Sequence, residues 1–263
     1  MNNYNFVQLK SKVLNQPLLL EPSYAQILFG ALADRLQIES LFNGDEKLSA
    51  EELKTGAFSF SNDRTERKPY AVNAGSAIIP VSGSLVAKTN TLRPYSGMTG
   101  YDGIKANLDM ALADETVSHI IFDMDSSGGE VTGCFELADY IFESRGDKKI
   151  TAMVGSLACS ACYAIASACD EIVISETATV GSIGVITAHT SIEKAMDNQG
   201  VEVTLIHAGK HKADGNPYVK LPPEVKDRIQ ANLDSIHMMF AERVAKYRGM
   251  SVNAILETEA LTY

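Results

Sequence analysis

The chain has 263 residues, of which 45% are hydrophobic and 21% are charged. This composition is typical of a globular protein, and the length suffices for a full α/β core with a small accessory region. Its 23 basic and 33 acidic residues give a formal net charge of −10. Such a balance argues against nonspecific binding to nucleic acid or to an anionic membrane surface as the main activity.

The amino terminus lacks the features of a targeting segment. Residues 1–8 carry neither the charged nor the apolar stretch of a secretory signal, and no apolar run approaches the ~18 residues that cross a bilayer. We therefore expect a soluble cytoplasmic protein without a membrane anchor. Four cysteines are too few and too clustered for a disulfide framework. We expect them to be reduced and mostly buried thiols: Cys134, Cys159, Cys162 and Cys169.

Residues 1–70 differ from the rest of the chain in their pattern of apolar and charged residues. Apolar residues at helical spacing extend from Leu14 to Leu41, with a stripe from Ile27 to Leu36 on one face. A polar, charged connector follows and ends at Lys68. We interpret residues 1–70 as an N-terminal helical arm with a flexible linker.

Strand and helix patterns alternate in the main domain, residues 71–263. The predicted strands are His119–Asp125, Lys149–Val154 and Glu171–Ser175, and Ala77–Gly83 is predicted as a strand and turn. Between and after them we predict helices over Tyr101–Ala113, Val131–Ser144, Ala161–Cys169 and Pro223–Tyr247, and a loop over Lys88–Gly100. Repeated β-then-α order with buried Val and Ile strands predicts an α/β fold, whose largely parallel sheet is covered by helices.

Ser160 stands where a predicted strand gives way to an Ala-rich helix, so its hydroxyl would lie at a helix N-terminus. Amide groups point outward there and the helix dipole favours negative charge, which stabilises both an alkoxide and an oxyanion. Upstream, a buried strand ends in Ser126–Gly129, a predicted turn whose glycines let a backbone approach a ligand closely. Downstream, Gly209–Asp214 supplies a possible base. A serine that could act as the nucleophile, backbone amides that could bind an oxyanion and an amine that could act as the base together indicate an acyl-transfer site.

Four ordered segments resemble the signature stretches of the S49 signal peptide peptidase family: Phe122–Val131, Ala158–Tyr163, Thr179–Val185 and Gly209–Lys212. The resemblance covers roughly residues 71–263, which would form the protease domain. It implies a ClpP/crotonase-like spiral of β-β-α units. Members of the family commonly assemble into rings or domes, so the resemblance also implies a homo-oligomer.

Residue by residue, the resemblance implies a serine protease with a Ser-Lys dyad. Ser160 matches the nucleophile of the family, Lys212 its general base, and Ser182 a serine whose hydroxyl helps to hold that lysine. Gly129 matches the glycine whose amide contributes to the oxyanion hole, and the amide of Ala161 would be the second donor. The resemblance implies no metal and no organic cofactor.

Two positions depart from the pattern of the family. Ser127 stands where the turn usually has a proline, which loosens the turn without removing the amide donor. Ala161 and Cys162 replace a pair usually written as glycines, so the nucleophile has bulkier neighbours. We expect these departures to alter the shape of the substrate pocket more than the chemistry.

The missing anchor and the short segment Pro17–Pro22 resemble the soluble branch of the family found in tailed phages. Its members are capsid assembly proteases that process scaffold and portal proteins, which implies protein or peptide substrates and a location in the host cytoplasm or procapsid. Since relatives continue past the position of Tyr263, we expect a fragment of a longer chain. Three alternatives stay open: an SppA-like bacterial cytoplasmic peptidase, a catalytically silent scaffold protein, and a CoA-dependent hydratase-like enzyme on the same fold.

The dyad makes a physical demand on Lys212. A free lysine has a pKa of ~10.4, so the amine must be buried enough to bring its pKa toward ~7 to 8 before it can take the proton of Ser160. A carboxylate beside the amine would raise the pKa of the lysine, so Asp214 should point away. The sequence also permits a triad of Ser160, His211 and Asp214.

Overall fold

The computed structural model describes residues 18–20, 41–43, 46–48 and 68–263. These residues contain ten strands: β1 (Leu18–Leu20), β2 (Leu41–Asn43), β3 (Glu46–Leu48), β4 (Ala71–Asn73), β5 (Ser76–Val86), β6 (Met98–Gly100), β7 (His119–Glu130), β8 (Lys149–Cys159), β9 (Glu171–Ile174) and β10 (Thr179–Gly181). The same described part contains six helices: α1 (Tyr101–Ala113), α2 (Cys134–Glu143), α3 (Ala161–Ala168), α4 (Glu193–Asn198), α5 (Pro223–Arg248) and α6 (Val252–Leu256).

A mixed sheet of eight strands forms the centre of the described structure. Its order is β10-β8-β7-β5-β4, with β6 beside β5, β9 beside β8 and β1 beside β7. Strands β5, β7 and β8 run parallel to one another, and β6, β9 and β10 run parallel to their partners. Parallel neighbours need crossover connections, and α1, α2 and α3 supply them before β7, β8 and β9. The predicted α/β class, with its repeated strand and helix units, is confirmed.

The apolar core lies between this sheet and the helices. Ile79, Phe122 and Ile150, one from each of the three central strands, are fully buried. Helix α3 packs against β7, β8 and the helices α2 and α5, and all of its residues except Tyr163 are buried. Its alanines leave room for these close neighbours on every side, as the dense packing of a protein interior requires.

Helix α5 matches the predicted Pro223–Tyr247 and continues one residue further. It starts on a proline, which suits the first helical position, and Gly249 ends it in the left-handed conformation with φ 65°. Phe240 in its C-terminal half packs on Phe135 of α2, with ring centroids 5.8 Å apart. Neither α5 nor any other described helix is both long and apolar enough to cross a membrane.

The predicted turn Ser126–Gly129 and the end of the predicted loop Lys88–Gly100 are strand instead, so the predictions are wrong at those residues. Strand β7 continues through Ser126–Gly129, because Ser126 still pairs with β8 and, after a register shift, Gly128 and Gly129 pair with β5. Within the predicted loop Lys88–Gly100, the last three residues form β6, which pairs with β5 in parallel. In both places the hydrogen bonds of the sheet override a local glycine-rich pattern that is typical of turns.

The predicted helical arm is described at few residues. Leu18–Leu20, which lie within the apolar stretch predicted as helical, form a strand that pairs antiparallel with β7. Strands β2 and β3 pair with each other in a separate two-stranded sheet, in the stretch where the polar connector was predicted to begin. The stripe from Ile27 to Leu36 lies outside the described residues. The helical arm and the domain boundary at residue 70 therefore stay predictions.

We expect Phe240→Ala to lower the free energy of unfolding by about 3–5 kcal/mol, because it removes a fully buried ring and leaves a cavity beside Phe135. The matched variant Met239→Ala, at a side chain that is 37% exposed, should cost less than about 1 kcal/mol. Urea denaturation followed by circular dichroism measures both. Equal losses would contradict the packing of α5 on α2.

Candidate active site

Ser160 lies at the junction of β8 and α3, as the sequence predicts. Its backbone has φ 55° and ψ −117°. A positive φ is uncommon outside glycine and costs of order 1–3 kcal/mol. Two hydrogen bonds hold this turn: the N–H of Ser160 donates to the carbonyl of Gly181 over 2.8 Å, and the N–H of Ala164 donates to the carbonyl of Ser160 over 2.9 Å. The strained conformation is thus fixed by β10 on one side and by α3 on the other.

The hydroxyl of Ser160 is fully buried and has no hydrogen-bond partner among the described residues. A buried polar group left unpaired costs about 1–3 kcal/mol, so proteins rarely tolerate one. The side chain does not cap α3 either, which removes the usual structural reason for a serine at the start of a helix. An unpaired hydroxyl on a strained backbone is typical of a functional position.

The two amides predicted for the oxyanion hole lie at the same edge of the sheet as Ser160. Ala161 is the first residue of α3, so its N–H has no acceptor within the helix. Gly129 lies near the end of β7. The last pair between β7 and β8 joins Ser126 with Ala158, and both strands run in the same direction. Residues that follow this pair on either strand therefore emerge at one common edge.

Gly129 is also required by the packing of β7 on β5. A Cβ atom at this position would lie 1.8 Å from the carbonyl oxygen of Leu85, its partner in β5. No side chain fits there unless the two strands separate. The sequence explained this glycine by close approach to a ligand, and the structure adds close approach to a neighbouring strand.

Two side chains that the sequence analysis did not single out fix the end of β7. The hydroxyl of Ser126 donates to the carbonyl of Gly83 over 2.5 Å and accepts from the N–H of Gly128 over 3.1 Å. The hydroxyl of Tyr101 donates to the carbonyl of Glu130 over 2.7 Å. A serine two residues before a glycine was a usable signal for the first contact, whereas nothing in the sequence around Tyr101 pointed to the second.

Ser182 lies beside the turn that carries Ser160. Strand β10 runs parallel to β8, with Gly181 paired to Cys159, so each serine directly follows one member of this pair. Ser182 is buried and has φ 54°. Its N–H donates to the carbonyl of Leu261 over 3.0 Å, which ties the site to the last described residues. The structure therefore brings the two predicted serines to the same place.

Lys212 is not brought to Ser160. It is exposed, in the segment between α4 and α5. Its amine makes no hydrogen bond to the hydroxyl of Ser160, which has no partner in the described part of the chain. The burial that a lysine base requires is missing from this arrangement. The structure thus brings Ser160, the predicted amide donors and Ser182 to one edge and leaves Lys212, the predicted base, exposed and without a hydrogen bond to Ser160.

The neighbours of Lys212 form an ion-pair group of their own. Asp214 accepts from Nδ1 of His211 over 2.9 Å and also pairs with Arg228 of α5. Its carboxylate is thereby directed to His211 and Arg228. The alternative triad is not assembled, because the hydroxyl of Ser160 has no partner among the described residues, His211 included.

The cysteines are free and buried, as expected: Cys134, Cys159, Cys162 and Cys169. Burial raises the pKa of Cys134 to about 12 and raises the pKa of Cys162 and of Cys169 further. Such thiols stay protonated at neutral pH, and the thiolate is the form that attacks substrates or binds metals. Among the residues with described positions, no group of three or more His, Cys, Asp or Glu side chains could hold a metal ion.

Comparisons with known proteins find similarity over nearly the whole chain. Residues 143–259 match the model of Peptidase family S49. Capsid assembly protease C of Escherichia phage lambda is 44% identical over 98% of the chain, and Head-tail preconnector protein GP5 of Enterobacteria phage P21 is 40% identical over 98%. The chain spans 60% of the length of the first relative and 52% of the second. The matched residues include Ser160, Ser182 and Lys212.

Solved structures are matched more distantly. A mutant of the 1510-N membrane-bound stomatin-specific protease is 14% identical, with 73% of each chain covered and a TM-score of 0.40. An enoyl-CoA hydratase/isomerase family protein from Silicibacter pomeroyi is 11% identical, with 72% of this chain and 93% of that chain covered and a TM-score of 0.33. The α/β architecture stands on the described strands and helices themselves.

We expect Gly129→Ala to lower the free energy of unfolding by about 1–3 kcal/mol, because the added methyl group collides with the backbone of Leu85. Gly155→Ala in β8 is the matched control: a Cβ there meets nothing within 4 Å, so the change should stay within about 0.5 kcal/mol. Urea denaturation measures both. A Gly129→Ala chain as stable as the control would refute the close pairing of β5 and β7.

Proposed function

Because the chain belongs to peptidase family S49, we propose that it is a serine endopeptidase in which Ser160 attacks a peptide carbonyl and Lys212 is the base. One observation carries the proposal: the hydroxyl of Ser160 is buried and unpaired among the described residues, on a strained turn at the start of a helix. No structural role accounts for this arrangement, whereas nucleophilic attack does.

The chemistry requires two proton transfers and an anion site. Neutral Lys212 takes the proton of Ser160 as the hydroxyl oxygen bonds to the carbonyl carbon, and returns it to the amine that leaves when the peptide bond breaks. Water then hydrolyses the acyl-enzyme by the same path. The amides of Gly129 and Ala161 are the proposed donors to the oxyanion, and their backbone positions cost no reorganisation during the reaction.

The dyad forms only if Lys212 reaches Ser160. Residues 201–212 are exposed except for residue 203, and they contain no helix or strand, so few contacts resist their movement. The lysine can arrive by rearrangement of this segment or from a second copy of the chain. Arrival buries the amine, as the environment of a lysine base requires. We propose Ser182, next to Ser160, as the hydroxyl that holds the amine.

The proposed substrates are phage head proteins. The two relatives are named for capsid assembly and for a head-tail connection, and each matches 98% of the chain. We infer that scaffold and portal proteins are cleaved during head maturation, by a homo-oligomer in the host cytoplasm or procapsid. The separation of Lys212 from Ser160 favours one second candidate, a catalytically silent scaffold protein on the same fold.

Cleavage of casein and of a candidate scaffold protein, followed by mass spectrometry, tests the proposal. We expect Ser160→Ala and Lys212→Ala each to lower kcat/KM at least about 100-fold, because each removes a group that transfers the same proton. The matched control is Lys210→Ala, which removes an exposed amine two residues away and should retain activity.

The variant His211→Ala distinguishes the Ser-Lys dyad from the triad of Ser160, His211 and Asp214. Retained activity in this variant supports lysine as the base, whereas loss comparable with that of Ser160→Ala would assign the role to His211. Undiminished cleavage by a folded Lys212→Ala chain would exclude the dyad. Absence of cleavage by the wild type with both substrates would favour the silent scaffold.

Mixing two inactive variants tests how the lysine arrives. If a second copy supplies it, Ser160→Ala mixed with Lys212→Ala contains sites with an intact serine and an intact lysine, and about a quarter of the wild-type activity should return, as random pairing predicts. If the lysine arrives within one chain, the mixture stays inactive. Activity across a range of mixing ratios distinguishes the two, with each variant alone as the control.

A further inference from the structure

The end of β7 has two edges, and a different strand pairs with each. At Gly128 and Gly129, β5 takes one edge. Strand β8 lies along the other edge, and its last pair with β7 is at Ser126. Beyond that pair, β1 takes the second edge in antiparallel orientation, with Leu19 opposite Gly129. The N-terminal segment therefore continues the sheet where β8 leaves it.

This second edge is the one that faces Ser160. The serine follows β8 by one residue, and β8 runs along the same edge of β7 up to the pair of Ser126 with Ala158. Adjacent strands lie about 4.8 Å apart, so a strand added beyond this pair enters between the end of β7 and the Ser160 turn. The backbone of Leu18–Leu20 is thereby placed between the nucleophile and the proposed oxyanion amide of Gly129.

An extended substrate needs the same position. Peptides commonly bind a sheet by adding a strand to an open edge, since backbone hydrogen bonds then hold them without regard to sequence. A carbonyl can meet both Ser160 and the amide of Gly129 only from the space between them. Substrate and β1 therefore compete for the backbone groups of Gly128–Glu130.

We propose that the segment Leu18–Leu20 is a built-in competitor, which must leave β7 before a protein substrate can pair with it. The proposal rests on the protease function and adds its regulation. Ser160 is fully buried, so a substrate reaches its hydroxyl only after a rearrangement at the site.

Two features of the segment Leu18–Leu20 favour its release from β7. Strand β1 has three residues, and Pro17 and Pro22 flank it in the sequence. Proline has no N–H to donate to a sheet, so these prolines limit how far the pairing can extend. A short pairing of this kind can be displaced by a substrate that makes a longer one.

Two adjacent prolines in β1 test the competition. Neighbouring residues of an antiparallel strand alternate in pointing their N–H toward the partner, so Leu19→Pro/Leu20→Pro removes a donor to β7 whichever residue points there. The matched control is Phe42→Pro/Asn43→Pro in β2, which pairs with β3 and not with β7. Both pairs of substitutions alter the same region of the chain by the same chemistry.

The probe is a fluorescein-labelled peptide with the sequence of residues 16–24, bound to chains that also carry Ser160→Ala and so cannot cleave it. We expect its Kd to fall at least about fivefold with the β1 prolines and to stay unchanged with the β2 prolines, because the apparent affinity scales with the fraction of open sites. Equal Kd values in the three backgrounds would overturn the proposal. In chains with Ser160 intact, KM for casein should fall likewise while kcat stays the same.

Amide hydrogen exchange provides a readout that does not depend on the folding of the proline variants. In the Ser160→Ala chain, excess unlabelled peptide should speed exchange at Leu18–Leu20 and leave exchange in α3 unchanged. Unaltered exchange at Leu18–Leu20 under saturating peptide would overturn the competition. If the β1 prolines lower the Kd of the peptide but the wild type cleaves no casein, the competition between β1 and the peptide stands and the protease function is rejected.

Discussion

The parallel pairing of β5, β7 and β8 is the constraint on which the site depends. On the β8 side of β7 this pairing extends from His119 to Ser126 and then ends, whereas on the β5 side it extends to Asp125 and resumes at Gly128 and Gly129 after a register shift. Both Gly129 and Ser160 lie beyond the last pair of β7 with β8. A fold that paired both strands to their ends would have no room for a substrate beside the proposed nucleophile Ser160.

The turn at Ser160 combines strain with strong support. Its positive φ is maintained because the sheet holds it through Gly181 and the helix holds it through Ala164. Surrounding structure of this kind is what lets a protein keep a conformation that the isolated chain would abandon. The unpaired hydroxyl adds a second unfavourable contribution at the same residue, and both become intelligible if the residue acts on a substrate.

The serine and the lysine differ in how they are held. Ser160 is fully buried where the sheet meets α3, whereas Lys212 lies in an exposed segment without helix or strand. If Lys212 is the base and arrives only when a substrate or a second copy is present, the proposed protease would stay inactive elsewhere. Occupation of the β7 edge by the chain's own N-terminal segment would have the same effect by another route.

The sequence by itself determined most helices and central strands of residues 71–263 and supplied the candidate site residues. Periodicity placed α1, α5 and the cores of β7 and β8, because apolar spacing is a local property. Only the tertiary structure decided that Ser126–Gly129 is strand, that Gly129 packs on Leu85, and that Leu18–Leu20 pairs with β7. These three depend on hydrogen bonds between residues distant in the chain, which no local pattern records. The position of Lys212 relative to Ser160 also depends on the tertiary structure, because a sequence motif fixes the spacing of residues along the chain and not their position in space.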